Sequence, residues 1–234
     1  VNQSTMGVYG VPVGMNTIAT TLASTHEAHM VGKYDVGFAD GLQMPMSRGF
    51  ASFFGYLGGQ VDYWSATAAN IFSCSPSAGN RIVDLWNGSK PASALPGFAG
   101  CVGKDSVTCG EANASSYLES IFVQRVESII ATYAKASVAT HNNDAKALFL
   151  YYGQHVAHAP LQSPKTVLGR FSGIENANRR IYAAQVAVCD SAVGSVVDAL
   201  HQTKLWGRAI FIFFSDNGGP SYAGGPPSAS NFPL

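Results

Sequence analysis

The chain has 234 residues, of which 47% are hydrophobic and only 12% charged, a charged share about half the usual one. Fourteen basic residues balance fourteen acidic ones, so no long-range field draws the chain to nucleic acid or to an anionic membrane. No uninterrupted apolar run reaches the roughly 18 residues of a membrane span, and the hydrophobic fraction is too high for disorder.

In chain order, residues 17–24 carry Ile18 and Leu22 among alanines and threonines, which predicts a short helix breaking before His26. Residues 28–31 read as a strand that runs into Gly32-Lys33-Tyr34-Asp35. Residues 41–64 are rich in glycine and aromatics with no sustained period, so an ordered loop region is expected there. Residues 75–115 are mostly Ser, Gly, Pro, Asn and Ala, with one strand expected at 81–86. Leu118, Ile121, Phe122, Val126, Ile129 and Ile130 repeat with a helical period over 117–135. Residues 147–152 form an apolar strand ending at Gly153. The longest helix is expected over 174–203, with Ile181, Ala184, Val188, Val193, Val197 and Leu200 as its inner stripe. Residues 209–214 are a second strong strand, followed at once by Ser215-Asp216-Asn217-Gly218-Gly219. This alternation predicts an α/β fold with a mixed, largely parallel sheet flanked by helices.

The four cysteines, Cys74, Cys101, Cys109 and Cys189, allow three fully paired connectivities and form no C-x-x-C metal pair. Cys101 and Cys109 bracket a loop that suits a local disulfide, whereas Cys189 lies in a helical pattern and reads as a buried thiol. Sequons occur at Asn2, Asn87 and Asn113, all in loop-like surroundings, and are glycosylation candidates. Together with the cysteine loop they point to an exported protein.

In parallel α/β sheets functional residues collect just past the carboxyl ends of strands. Three such ends stand out. Lys33 follows Gly32, where its ammonium can reach an anionic group, and Asp35 can pair with it or face a metal. His158 precedes Ala159-Pro160, a stiffened loop that can present an imidazole as a proton donor to a leaving group. Asp216 and Asn217 offer a carboxylate and an amide oxygen, hard donors that suit Ca²⁺ or Mg²⁺ rather than a soft metal. Asp-Asn-Gly-Gly is also an ordinary turn sequence, and spacing alone leaves both readings open. If the three strands are neighbours, a cation, an imidazole and two oxygen donors converge. His155 is a weaker candidate, His29 reads as packed within a strand, and His26, His141 and His201 read as surface positions. Cys74-Ser75-Pro76-Ser77 imitates the start of a cysteine motif that is oxidised to formylglycine, but Ala78 stands where that motif needs arginine.

Read together, five ordered blocks resemble the type I sulfatases, in the arylsulfatase B-like branch of the alkaline phosphatase superfamily. "TIATTL…HMVGKYDVG" resembles "TLAE.L…HMVGKWHLG", and "MPMSRGFASFFGYLGGQVDYW" resembles "P..RGFD.FFGY..G..DYY". "ALFLYYGQHVAHAPLQSP" resembles "FLYLA.Q..H.PLQ.P", the stretch from Arg179 to Gly219 resembles the family's "Y.AMV..MD.AVG" to "SDNGG" region, and "ASNFPL" resembles "NNWPLRG.K".

The resemblance implies hydrolysis of sulfate esters, of small molecules or of polysaccharides, by a formylglycine hydrate that attacks sulfur and releases an alcohol. A calcium ion would bind sulfate oxygens. Carried over, Asp216 and Asn217 match two metal ligands, Lys33 the sulfate-contacting lysine, and His158 the histidine at the leaving-group oxygen. Asp35 stands in place of the histidine of "KWHLG" that hydrogen-bonds formylglycine; an aspartate can accept that bond but adds negative charge near sulfate. Ala51 replaces the aspartate of "RGFD".

The formylglycine motif, two metal aspartates and a second sulfate-binding lysine are expected outside residues 1–234, which would make the chain an inactive part of a longer catalytic domain. The resemblance further implies a secreted or lysosome-like compartment, with any signal segment outside this chain. Two alternatives stand beside it: a phosphodiesterase or phosphonate hydrolase of the same superfamily, and a catalytically dead secreted binding protein on the same scaffold.

Overall fold

A computed structural model describes residues 10–68, 82–92, 117–139, 146–219 and 231. They fall in two compact units, Val1–His155 and Val156–Leu234. Cys74, Cys101, Cys109, Ala78, Asn2, Asn113 and His141 lie outside the described residues.

The first unit holds a mixed sheet with two helices. Thr17 caps α1 (Ile18–Leu22): its hydroxyl accepts from the Thr20 N–H at 3.1 Å, and Thr20 Oγ1 returns the bond from the Thr17 N–H at 2.8 Å. Each exchange satisfies an amide that the helix start leaves orphaned. Strand β1 (His26–Lys33) follows, two residues longer at each end than its apolar run. It pairs in parallel with β2 (Ser52–Tyr56) on one side and β5 (Ala147–Gly153) on the other. Two short antiparallel strands, β3 (Trp86–Asn87) and β4 (Lys90–Pro91), extend the sheet beyond β2, giving the order β4-β3-β2-β1-β5.

At β1 and β2 the sheet is covered on both faces, as the interior of a parallel sheet requires. On one face Phe53, Ala28 and Met30 pack with Ala19 of α1, Phe50 and Leu57. On the other, α2 (Leu118–Ala139) lays its buried stripe of Leu118, Phe122, Val126 and Ile130 toward the strands. The Phe122 ring stacks on Tyr56 with centroids 6.3 Å apart and meets Phe54 edge-on at 5.9 Å. Burying a ring of this size is worth about 1.5–3 kcal/mol each, so β2 alone anchors both layers.

Strand β2 corrects the expected loop region at 41–64. Ser-Phe-Phe-Gly-Tyr has no alternation because both of its faces are buried, so a period-two test passes over it. The strand expected at 81–86 is also displaced. The described part makes a single isolated bridge, from Val83 to Thr67, and the sheet's ladder forms only from Trp86. Asn87, expected in a loop, is an exposed ladder residue before Gly88, whose φ of 62° makes the tight turn into β4. His26, expected at the surface, opens β1 half-buried, with Nδ1 2.7 Å from Thr25 Oγ1.

In the second unit, α3 (Lys165–Leu168) leads through a 3₁₀ turn to α4 (Ala177–Gln202), capped by Asn176, whose Oδ1 accepts from the Arg179 N–H at 3.0 Å. The buried positions of α4 are Ala184, Gln185, Ala192, Val196 and Leu200. The inner stripe is thus rotated from the expected one, and Val188, Val193 and Val197 are half-buried. Cys189, expected as a buried thiol, is half-buried too. By length and composition α4 is apolar enough to cross a membrane, although Asp190 and Asp198 interrupt it at exposed positions.

Residues 209–214 differ most from expectation. They are extended but belong to no ladder, and Ile210 is 91% exposed. A strand exists only through hydrogen bonds to a neighbouring strand, and among the described residues this run pairs with none.

Candidate functional site

Three glycines lie level across the parallel strands: Gly55 of β2 faces Gly32 of β1, which faces Gly153 of β5. Gly32 has φ of 95°, and a Cβ on it would stand 1.9 Å from the Gly153 carbonyl oxygen. Only glycine meets both demands. Pairing with β5 stops at this level, pairing with β2 runs one residue further to Lys33, and Asp35 follows at the carboxyl edge of the sheet.

Lys33 Nζ lies 3.3 Å from Asp35 Oδ2, with the two side chains 20% and 33% exposed. The backbone under them is pinned: the Tyr34 N–H donates to the Tyr56 carbonyl at 3.0 Å and the Asp35 N–H to the Leu57 carbonyl at 3.2 Å. Asp35 holds φ of 47°, a left-handed conformation that aspartate tolerates better than most residues. Sequence placed these two side chains at one strand end; the structure adds that they form an ion pair.

A second carboxylate supports this edge. Asp84 accepts from the Leu57 N–H at 3.0 Å, the Gly58 N–H at 2.8 Å and Trp86 Nε1 at 2.8 Å. Burial pushes its pKa above the usual carboxylate value, those three donors pull it back, and the Asp35 charge pushes it further up. Sequence reasoning passed over Asp84, which sits among Ile82, Val83, Leu85 and Trp86. A single carboxylate inside an apolar run is the signal that could have found it.

His155 is a core residue. Its ring stacks on Tyr63 with centroids 4.0 Å apart and meets Tyr56 at 5.1 Å. Its N–H donates to Glu119 Oε2 at 3.1 Å, and its carbonyl accepts from the Tyr63 hydroxyl at 2.9 Å. Glu119, fully buried, also accepts from the Tyr152 hydroxyl. These contacts fix the exit of β5. His29, as expected, is packed in β1, with Nδ1 2.7 Å from Ser52 Oγ.

In the second unit His158 is exposed, and its Nδ1 lies 2.9 Å from the Ala159 carbonyl oxygen. A carbonyl can only accept, so Nδ1 carries the proton and Nε2 is the nitrogen that exchanges one. Gln185 Nε2 donates from α4 to the carbonyls of His158 and Pro160, 3.3 Å to each. His201, exposed as expected, stacks on Trp206 at 4.9 Å.

Asp216 and Asn217 lie exposed beyond the unpaired run. Ser215 Oγ donates to the Asn217 carbonyl at 2.6 Å and Asn217 Nδ2 to the Gly218 carbonyl at 2.8 Å. Twelve residues on, Asn231 holds Gly219 from both sides: its Oδ1 accepts from the Gly219 N–H at 2.8 Å and its Nδ2 donates to the Gly219 carbonyl at 2.9 Å. With its nitrogen engaged, Asn217 keeps Oδ1 as a hard donor beside the Asp216 carboxylate. Two such oxygens fit part of the shell of a hard dication, which takes six or more. No group of three metal-binding side chains occurs among the described residues.

The sulfatase family model matches residues 2–232, and the chain belongs to that family. It is 33% identical over 209 residues to Arylsulfatase J of Mus musculus, across 89% of this chain and 29% of that protein. The chain therefore spans less than a third of that relative's length. Among solved structures, Ps i-CgsB has a TM-score of 0.62 at 22% identity, over 84% of this chain and 39% of the other. Its complex with k-i-k-neocarrahexaose has a TM-score of 0.57. A sulfatase described with the metabolism of glycosaminoglycans by Bacteroides thetaiotaomicron has a TM-score of 0.55 at 15% identity. At these identities the solved structures bear on the fold alone. Sulfatases of this family depend on a metal and on formylglycine.

Proposed function

We propose that residues 1–234 are part of the catalytic domain of a sulfuric ester hydrolase acting on sulfated polysaccharides outside the cytoplasm. The observation that carries this is Lys33, held beside Asp35 at the carboxyl edge of the sheet, in a chain matched to the sulfatase family over 2–232. Lys33 binds a sulfate oxygen. Asp35 restrains the ammonium and orients it. His158, protonated on Nδ1 by its bond to Ala159, delivers a proton from Nε2 to the leaving alcohol oxygen. Asp216 and Asn217 would hold Ca²⁺ in preference to Mg²⁺, and that metal together with a formylglycine outside this chain would supply charge neutralisation and the nucleophile. The sulfated-saccharide substrate class is supported by the carrahexaose bound to one neighbour and the glycosaminoglycan metabolism attached to another.

The experiment is a rate comparison in the full-length protein on sulfate monoesters, phosphate diesters and phosphonates. Sulfate release is expected, reduced about 10²- to 10³-fold by Lys33→Ala through loss of charge stabilisation. Phosphodiester cleavage without sulfate release would replace this reading by the phosphoryl alternative. Residues 1–234 alone are expected to be inactive, and turnover by that piece would remove the proposed division of the site.

A further inference from the structure

We infer that Gln185 is a positioning residue for His158, bracing from helix α4 the loop that presents the imidazole. The inference rests on the proton-donor role proposed for His158.

Three successive carbonyls of that loop are engaged. Those of His158 and Pro160 accept from Gln185 Nε2, 3.3 Å to each. The one between them, on Ala159, accepts from the His158 ring at 2.9 Å. The last bond fixes which nitrogen carries the proton, so Ala159 must stay where the ring can reach it. Gln185 holds the peptide on either side. Both of its bonds are at the long end of the hydrogen-bonding range, but they act as a pair on three residues, and Pro160 has no N–H of its own to anchor the loop.

The choice of residue points the same way. Gln185 is fully buried, and its Oε1 is buried with no hydrogen-bond partner among the described residues. An unpartnered buried acceptor is destabilising, and a methionine or leucine at this apolar helix position would fill the space without that penalty. Packing therefore does not account for glutamine here, whereas its two N–H groups do. A neutral amide also keeps its donors at any pH, which a histidine or carboxylate brace would not.

The test uses the full-length protein with Gln185→Met, Gln185→Leu and His158→Ala. Each is assayed on 4-nitrophenyl sulfate, whose leaving group needs no proton, and on a monosaccharide sulfate, whose alkoxide does. Thermal midpoints are taken in parallel. The expected result for both Gln185 variants is an unchanged or raised midpoint, an unchanged KM, and a kcat on the sugar sulfate lower by about 10- to 100-fold, as for a misplaced catalytic group. On the nitrophenyl ester kcat should stay within about 3-fold, since proton donation contributes little there. Equal losses on both substrates, no loss, or a loss that follows a lowered midpoint would each overturn the inference. His158→Ala separates the two levels. A selective loss there with none in the Gln185 variants overturns the brace alone, and no selective loss there removes the His158 role and the brace with it.

Discussion

Strand β2 and residues 210–214 share a pattern and differ in fate. Ser-Phe-Phe-Gly-Tyr and Ile-Phe-Ile-Phe-Phe are both short aromatic runs without alternation. The first lies in mid-sheet with its last four residues buried, while the second belongs to no ladder and has every residue exposed. A continuous apolar run states a demand for cover on both faces; it does not provide the cover. In the first unit α1 lies on one face of β2 and α2 on the other. The run in the second unit has an interior strand's pattern and no ladder partner among the described residues.

The largest expected effect sharpens the first half of this contrast. Gly32→Val would force a β-branched residue into φ of 95° and drive Cβ to 1.9 Å from the Gly153 carbonyl. Positive-φ strain and a backbone clash together should cost about 4 kcal/mol or more, read as loss of the cooperative urea transition. A stable Gly32→Val variant would mean that the three-glycine level does not set the sheet edge.

Ile212→Ala addresses the other half. Ile212 is exposed, so in residues 1–234 the change should stay within about 0.5 kcal/mol. In the longer protein proposed above, where such a run would be covered, the same change should cost about 2–5 kcal/mol. Paired denaturation curves give the answer, and equal small effects in both would break the comparison.

The smallest effect concerns His29 in β1. Burial holds its pKa below the ordinary 6.5, partly offset by Glu27, whose Oε1 lies 3.3 Å from Nε2. The unfolded chain therefore binds a proton that the folded chain resists. The stability contributed is fully present above pH 6.5 and is lost as pH falls from there through the lowered folded value. His29→Gln should flatten that slope in melts taken across the window, and an unchanged slope would assign it elsewhere.

Much of this was legible in the sequence where one periodicity dominated. Helices α2 and α4 and strands β1 and β5 follow from spacing, and Lys33, Asp35 and His158 follow from the rule that strand ends carry function. Strand β2 was hidden because burial on both faces erases alternation. Residues 209–214 were over-read for the same reason, since their pattern is an interior strand's whether or not a partner is present. Gln185 was missed because a lone amide in an alanine- and valine-rich helix looks like a surface residue. Its spacing of seven from Ala192 and eleven from Val196, both buried, places it on the inner face. A polar side chain on a buried stripe is a signal that composition averages away.

The ion pair at the sheet edge bears on selectivity by valence. A lone ammonium welcomes any anion, and a dianion more than a monoanion. Lys33 with Asp35 at 3.3 Å presents a dipole of zero net charge instead. Such a pair still offers N–H donors to an incoming oxyanion but adds little to its long-range attraction, and the carboxylate repels a second negative charge more than a first. A sulfate monoester carries one charge near neutral pH, where a phosphate monoester carries close to two. In the proposed site, Asp35 would thus act as a charge filter, tilting it toward the singly charged ester before any bond is broken.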